Sequence, residues 1–363
     1  MKVIYFSRDY SSHDHRFLTA LAQTEHKIFY LRLEQRVHSL EDRPIPQIVE
    51  QVTWEGGRQP AQLQHGVRLL HSLRQVLHQV NPDIVHAGPI QTAAFLVALS
   101  GFRHLVSMSW GYDLLVDVHR SRVWRWATRF TLQHSAAFVG DCEIINQQAA
   151  SFGMKPERII SFPWGVDLAH FCPVPVPRPE NSSFTLLSTR SWEPIYGVDV
   201  LAQAFAWVAR KRPGIRLVMA GNGSLAARLR HIFEQAGVSE RVYFPGHIVQ
   251  ADLRRYYRAA NLYLSASHSD GSSISLLEAM ACGCPALVSD IPGNREWVTD
   301  GLNGWLFRDG SVQDLAEKIE VAIESYSSLS AIGQAARALV ETRADWSKNF
   351  PKLLQAYEMA YYS

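Results

Sequence analysis

The chain has 363 residues, enough for about two domains at roughly 100–200 residues each. Apolar residues make up 47% and charged residues 19%, which supplies buried cores and excludes disordered, collagen-like and coiled-coil chains. Lysine and arginine (36) nearly balance aspartate and glutamate (34), arguing against general nucleic-acid binding, and no apolar run approaches the roughly 20 residues of a membrane span.

The first half alternates strand-like and helical runs. Lys2–Ser7 reads as a strand, and MKVIYFSRDY turns polar too early for a signal peptide. Arg16–Thr24 has helical spacing, and Lys27–Leu31 is strand-like. Val67–Val80 is an amphipathic helix stopped by Asn81-Pro82. Asp83–His86, His104–Ser107 and Ala136–Gly140 read as buried strands. The segment Cys172–Ser183 holds four prolines in CPVPVPRPENSS, a composition that resists helix and central strand, so it predicts a linker.

The alternation then restarts. Strands are expected at Phe184–Ser188, Arg216–Ala220, Val242–Phe244, Leu262–Ser265, Ala286–Ser289 and Trp305–Phe307. Helices are expected at Val198–Lys211, Leu225–Ala236, Ala251–Ala259, Ser275–Ala281 and Val312–Glu324. The expectation is an α/β chain of two doubly wound, Rossmann-like domains, 1–172 and 184–345, joined by a proline-rich linker at 173–183. Residues 346–363 would form a helix packing back on the first domain. Ligands are expected at the carboxyl ends of the strands, in a cleft between the domains.

Cys142, Cys172, Cys282 and Cys284 form no CxxC pair and no zinc spacing, and read as small buried hydrophobes of a reduced, cytosolic protein. The 15 histidines show no HExxH-like spacing, so no metal site is expected.

The richest stretch is Ala266–Pro285, ASHSDGSSISLLEAMACGCP. A strand ends near Ser265, a turn with Asp270-Gly271-Ser272-Ser273 follows, and a helix opens near Ile274. Such a helix start presents unpaired N–H groups and a positive dipole end, suited to phosphate or sugar oxygens. Glu278 lies in the second turn of that helix, where its carboxylate could accept from a ribose diol. The plainer reading is Ser272 as an N-cap and Glu278 as a surface residue.

The run Leu277-Glu278-Ala279-Met280-Ala281-Cys282-Gly283-Cys284-Pro285, after Asp270-Gly271, resembles the second domain of family-4 retaining glycosyltransferases (glycosyl transferases group 1) of the GT-B fold. Arg190, Gly197-Val198-Asp199, Ala220-Gly221-Asn222-Gly223, Phe244-Pro245-Gly246 and Asp300-Gly301-Leu302-Asn303-Gly304 support it in order. In the first half only Asp83-Ile84-Val85-His86, Gly111-x-Asp113 and Gly165-Val166-Asp167 match.

The resemblance implies that Glu278 binds the ribose of a nucleotide donor and that Asp270 faces the donor sugar. It implies that the backbone at Ser272, Ser273 and Ile274 holds the diphosphate with Arg190. Gly221 and Gly223 would leave room for the nucleotide, with Asn222 beside it and the base held near His247 and Ile248. Asp113 is the candidate catalytic carboxylate of the first domain, with an N-cap role as the alternative, and His86 is a second candidate there. The sequence departs from the family at Asp270, where glutamate is usual, at Tyr196, where lysine is usual, and at Trp110, where histidine is frequent. Arg8, His13 or Arg16 could supply the missing cation.

The implied activity is metal-independent transfer, with retention, of a hexose from a nucleotide-diphosphate sugar to a hydroxyl of a glycan or lipid-linked acceptor. A UDP-sugar is the first choice of donor and GDP-mannose the second; no cofactor is expected. The alternatives are a non-catalytic nucleotide-sugar-binding scaffold, or a nucleotide-sugar epimerase or phosphorylase of the same fold. Residues 119–134, HRSRVWRWATRFTLQH, carry Arg120, Arg122, Arg125 and Arg129 and no acid. On a helix Arg122, Arg125 and Arg129 share one face, and Val123, Trp126, Ala127 and Phe130 another. Such a helix could rest on an anionic membrane at the cytoplasmic side, or be an ordinary domain helix with a solvated basic face.

Overall fold

The computed structural model describes residues 1–35, 41–58, 63–174 and 183–363. The chain divides into two compact units, Met1–Phe162 with Phe350–Ser363, and Pro163–Asn349. The expected linker lies almost wholly at 175–182, outside the described residues.

In the first unit the strands are β1 (Lys2–Ser7), β2 (Lys27–Arg32), β3 (Glu50–Gln51), β4 (Ile84–Gly88), β5 (Leu105–Met108), β6 (Ala137–Gly140) and β7 (Ile159–Ser161). The helices are α1 (Ser12–Leu21), α2 (Gly66–Val80), α3 (Phe95–Ser100), α4 (Tyr112–Leu115), α5 (Arg122–Gln133) and α6 (Glu143–Ser151). The parallel sheet runs β3-β2-β1-β4-β5-β6-β7, so the strand order reverses between β1 and β4. Every residue of β4, β5 and β6 is buried, as expected for strands covered on both faces.

The second unit contains β8 (Phe184–Ser188), α7 (Val198–Lys211), β9 (Ile215–Ala220), α8 (Ala226–Ala236), β10 (Val242–Gly246) and α9 (Gln250–Ala259). It continues with β11 (Leu262–Ser265), α10 (Ile274–Ala281), β12 (Ala286–Ser289), α11 (Pro292–Arg295), β13 (Gly304–Phe307), α12 (Val312–Glu324) and α13 (Leu329–Arg343). Its parallel sheet runs β10-β9-β8-β11-β12-β13, with the reversal between β8 and β11. Phe205, Leu217, Phe233 and Leu264 anchor the core on one face of this sheet, and Tyr263, Leu277, Met280 and Trp297 that on the other.

The second unit begins at 163 rather than 173. Val166 bridges to Asp345, the Arg337 guanidinium donates to the carbonyls of Phe171 and Ala281, and Phe171 is buried against Tyr257. These are long-range contacts of a loop, invisible to local patterning. The helix α14 (Trp346–Tyr361) follows, and its residues from Phe350 onward belong to the first unit. There the Tyr357 hydroxyl meets His86 Nδ1 at 2.8 Å.

Candidate functional site

The five parallel crossovers of the second unit deliver their loops to the carboxyl edge of the sheet, and the reversal between β8 and β11 opens a crevice there. Arg190 follows β8, and the turn 266–273 follows β11 into α10. The two meet directly. Arg190 Nη1 donates to Ser273 Oγ at 2.8 Å and Ser275 Oγ at 3.1 Å, while Nη2 lies 2.8 Å from Asp270 Oδ2. The Arg190 guanidinium stacks on the Tyr196 ring, 4.1 Å from its centroid. Burial opposes the charge on Arg190, but the Asp270 carboxylate outweighs it and holds the guanidinium above its ordinary range. Burial raises Asp270 despite the arginine.

The ion pair is close but not aligned as a hydrogen bond: Asp270 Oδ2 and Arg190 Nε are both buried without a hydrogen-bond partner. Ser188 Oγ and Trp192 Nε1, from the same strand end and loop, are also unpaired. Three such atoms on the stretch 188–192, beside an Asp270 oxygen held only by the ion pair, mark a place where a polar ligand could complete the bonding.

Ser273 is the N-cap of α10, yet its side chain makes no capping bond to the helix. Its hydroxyl serves Arg190 instead, leaving the first-turn N–H groups for another acceptor. Ser272, the alternative cap, is buried, and its hydroxyl accepts from Trp297 Nε1 at 3.2 Å. A side chain at Gly293 would collide with the carbonyls of Asp270 and Gly271, so α11 can press against this turn only with glycine there.

Glu278 is not the surface residue of the plainer reading; it is 3% exposed. Its carboxylate accepts from Gln250 Nε2 at 2.9 Å and the Tyr257 hydroxyl at 3.1 Å. Tyr257 also contacts Thr189 Oγ1 at 3.1 Å, which ties Glu278 to the strand end that carries Arg190. Beside Arg190, Gly221 N donates to Gly246 O at 2.8 Å and Trp192 N to Asn222 O at 2.9 Å. Asn222 and His247 are exposed and Ile248 is half-buried at this edge. Arg190, Asp270, Ser273 and Glu278 thus belong to one constellation, with Gly221, Asn222, His247 and Ile248 on the loops after β9 and β10.

Sequence reasoning missed Gln250, Tyr257, Tyr263 and Ser275, which hold Glu278 and Arg190 from behind. Buried tyrosines carry no local signal that separates a hydrogen-bonding role from core packing.

The first-unit candidates are differently placed. Asp113 is fully buried. Its Oδ1 accepts from Ser109 Oγ (2.5 Å), Trp110 N (3.1 Å) and Leu114 N (3.0 Å), and its Oδ2 accepts from Ile90 N (2.9 Å). A carboxylate with four protein donors and no exposure is a clamp between the loops after β4 and β5, which departs from the expected catalytic acid or base. The N-cap of α4 is Gly111, so it is not a simple cap either. Burial pushes Asp113 up to about 6. His86 is buried between Tyr357 and Met108, and burial pushes it down to about 3, leaving a neutral core imidazole. Arg8, expected as a spare cation, pairs with Glu34 at 2.7 Å.

On α5 the faces also differ from expectation. Ala127, Thr128, Thr131 and Leu132 are buried, with Thr131 Oγ1 donating to Ile90 O. Arg122, Val123, Arg125, Trp126 and Arg129 are exposed, so Val123 and Trp126 stand among the arginines and Ala127 points inward. Among the described residues, no group of His, Cys, Asp and Glu could hold a metal ion, and no helix is long and apolar enough to cross a membrane.

The family model for glycosyl transferases group 1 matches residues 176–339, and that for a glycosyl transferase 4-like domain matches residues 11–165. A D-inositol 3-phosphate glycosyltransferase of Segniliparus rotundus is 29% identical over 219 residues, 58% of this chain and 49% of that protein. A putative glycosyltransferase EpsD of Bacillus subtilis is 31% identical over 137 residues, 38% of this chain and 35% of that protein. The chain spans about half the length, or less, of such curated relatives. Among solved structures, Anabaena HepE in complex with UDP-glucose superposes with a TM-score of 0.79 at 18% identity over 99% of both chains. Sucrose-phosphate synthase from Thermosynechococcus elongatus superposes at 0.81 with 16% identity over 100% of both.

Proposed function

The chain belongs to the group 1 glycosyltransferases of the GT-B fold, and from this premise we propose that it moves a hexose from a UDP-sugar to a hydroxyl of a glycan or lipid-linked acceptor, with retention at the anomeric carbon. The observation that carries the reading is Arg190, held by Asp270, Ser273 and Tyr196 at the uncapped start of α10 with its buried Nε still unpaired. A diphosphate accepts from such an arginine and from helix N–H groups together, and charge developing on the leaving phosphate is stabilised by donors fixed beforehand. Helix dipole and guanidinium supply this positive charge without a metal.

In this reading Glu278 orients the ribose, with Gln250 the partner that yields to the sugar hydroxyls. Asp270 holds Arg190 and faces the transferred hexose, the backbone of Ser272 to Ile274 binds phosphate, and Gly221, Asn222, His247 and Ile248 border the base. Asp113 enters only as a clamp on the first unit's loops. UDP in the bound structures of Anabaena HepE favours a uridine donor over GDP-mannose. For α5 the partner is an anionic bilayer, because four exposed or flanking arginines surround Val123 and Trp126, 69% and 54% exposed.

The test is a thermal-shift panel of UDP, GDP and ADP followed by hydrolysis and transfer assays with UDP-hexoses in excess chelator. A melting temperature raised by UDP and turnover that survives chelation support the reading. Loss of turnover restored by magnesium overturns the metal-independent mechanism, and UDP binding without turnover on any acceptor favours a scaffold.

A further inference from the structure

The family's usual lysine is replaced by Tyr196, and the structure shows what stands there instead. We propose that Tyr196 is a positioning residue: its ring is the platform that fixes the Arg190 guanidinium toward the diphosphate, so one oriented cation replaces two. The inference rests on the phosphate-binding role assigned to Arg190 above.

Three observations carry it. First, the guanidinium carbon lies 4.1 Å from the ring centroid, face-on contact distance for a cation–π pair in a site where Arg190 is 11% exposed at its side chain. Second, Tyr196 is itself fixed from both sides. It ends a short 3-10 turn, Pro194–Tyr196, in which Ile195 O accepts from His268 N at 2.9 Å. The next residue, Gly197, has φ +55 and packs so close to the Ala266 carbonyl that a side chain there would collide with it. The backbone that carries the ring therefore cannot shift without moving the turn after β11 that carries Asp270. Third, the opposite edge of the guanidinium is held by Ser273, Ser275 and Asp270, and the Tyr263 hydroxyl donates to Ser275 Oγ at 2.8 Å. Ring below and oxygens along Nη1 and Nη2 leave Nε as the donor without a partner.

The charge balance follows. Arg190 and Asp270 sum to zero, where a second lysine would add one positive charge. Affinity for the diphosphate must then come from the direction of a few donors more than from net charge, and direction is what a stacking ring enforces.

The experiment compares UDP with uridine by titration calorimetry, in the full chain. Tyr196→Leu is expected to weaken UDP about tenfold while leaving uridine within about twofold, and Tyr196→Phe, which keeps the ring, restores UDP to within about threefold. In an Arg190→Gln background, Tyr196→Leu should cost nothing further. A ligand-free readout accompanies these: the Arg190 Nε–H proton resonance should carry an upfield ring-current shift in the parent and in Tyr196→Phe, and lose it in Tyr196→Leu. Equal losses for UDP and uridine, a Phe variant as poor as Leu, an undiminished Leu effect in the Arg190→Gln background, or an Nε–H shift indifferent to the ring each overturn the proposal. A parent chain that binds neither UDP nor GDP overturns the function itself, which separates the two failures.

Discussion

Both sheets reverse their strand order at the same topological point, and both place an aspartate just past a strand beside it, Asp113 in α4 and Asp270 in the turn before α10, yet the two aspartates are treated in opposite ways. Asp113 is sealed in, with four donors and no exposure. Asp270 keeps 19% of its side chain exposed and meets an arginine at contact distance without an aligned hydrogen bond. Asp113 is finished by its own protein groups, whereas Asp270 is held by an ion pair and left partly exposed. Identical topology therefore does not predict how an aspartate at the same sheet edge is held; its local partners do.

This contrast can be broken in several ways. Arg190→Ala should lower turnover by roughly 10²–10³, the scale of losing one preorganised charge stabiliser, with a modest change in melting temperature. Turnover within a few-fold of the parent would place the phosphate elsewhere. Asp113→Ala should do the reverse, destabilising the chain by roughly 3 kcal/mol through stranded buried donors while nucleotide affinity, read by calorimetry, stays unchanged. A stable Asp113→Ala chain with lost transfer would return Asp113 to catalysis. Glu278→Ala should weaken UDP by about 1.5–3 kcal/mol, typical of hydrogen bonds to a charged group; an unchanged Kd removes the ribose role.

Smaller effects sharpen the comparison. Asp113 titrates near 6 when folded, above its ordinary 3.8, because burial disfavours its charge. The folded chain thus binds this proton more tightly than the unfolded one. Its contribution to stability is complete below about pH 4 and is lost as pH rises through about 6, at up to about 1.4 kcal/mol per pH unit. Chemical denaturation of the parent and Asp113→Asn across pH 4–6.5 should differ by that slope, and parallel curves would show that the carboxyl is ionised throughout. On α5, Arg125→Ser should reduce partition onto phosphatidylglycerol vesicles by about 1 kcal/mol, and Trp126→Ser should reduce it further. Sedimentation indifferent to both substitutions leaves α5 an ordinary domain helix.

The elements that local physics dictates were legible in the residues. Val198–Lys211, with buried Leu201, Ala202, Phe205 and Val208 at helical spacing, and Leu262–Ser265, a short fully buried strand, form at the expected bounds. The turn into α10 was legible because Gly271 and its serines precede a helix whose start they leave open. What was not legible required knowing partners far along the chain. Glu278 is buried by Gln250 and Tyr257, His86 is bonded to Tyr357 at a separation of 271 residues and kept neutral by burial, and Ala127 faces inward on the side of α5 where Thr131 meets Ile90. Tyr196 was visible as a departure from the family, but its purpose depends on a guanidinium six residues earlier that only the tertiary turn brings over its ring.

The helix α14 imposes an order on synthesis. The second unit is one continuous stretch, 163–349, whereas the first needs residues 350–363 to cover His86 with Tyr357. Chains emerge from the ribosome at about 5–20 residues per second, and domains commonly fold as they appear, the earlier one first. Here the earlier one must wait, with an uncovered apolar edge, for about 190 further residues to be made, which is on the order of 10–40 seconds at those rates. During that interval the later unit can close before the earlier one does.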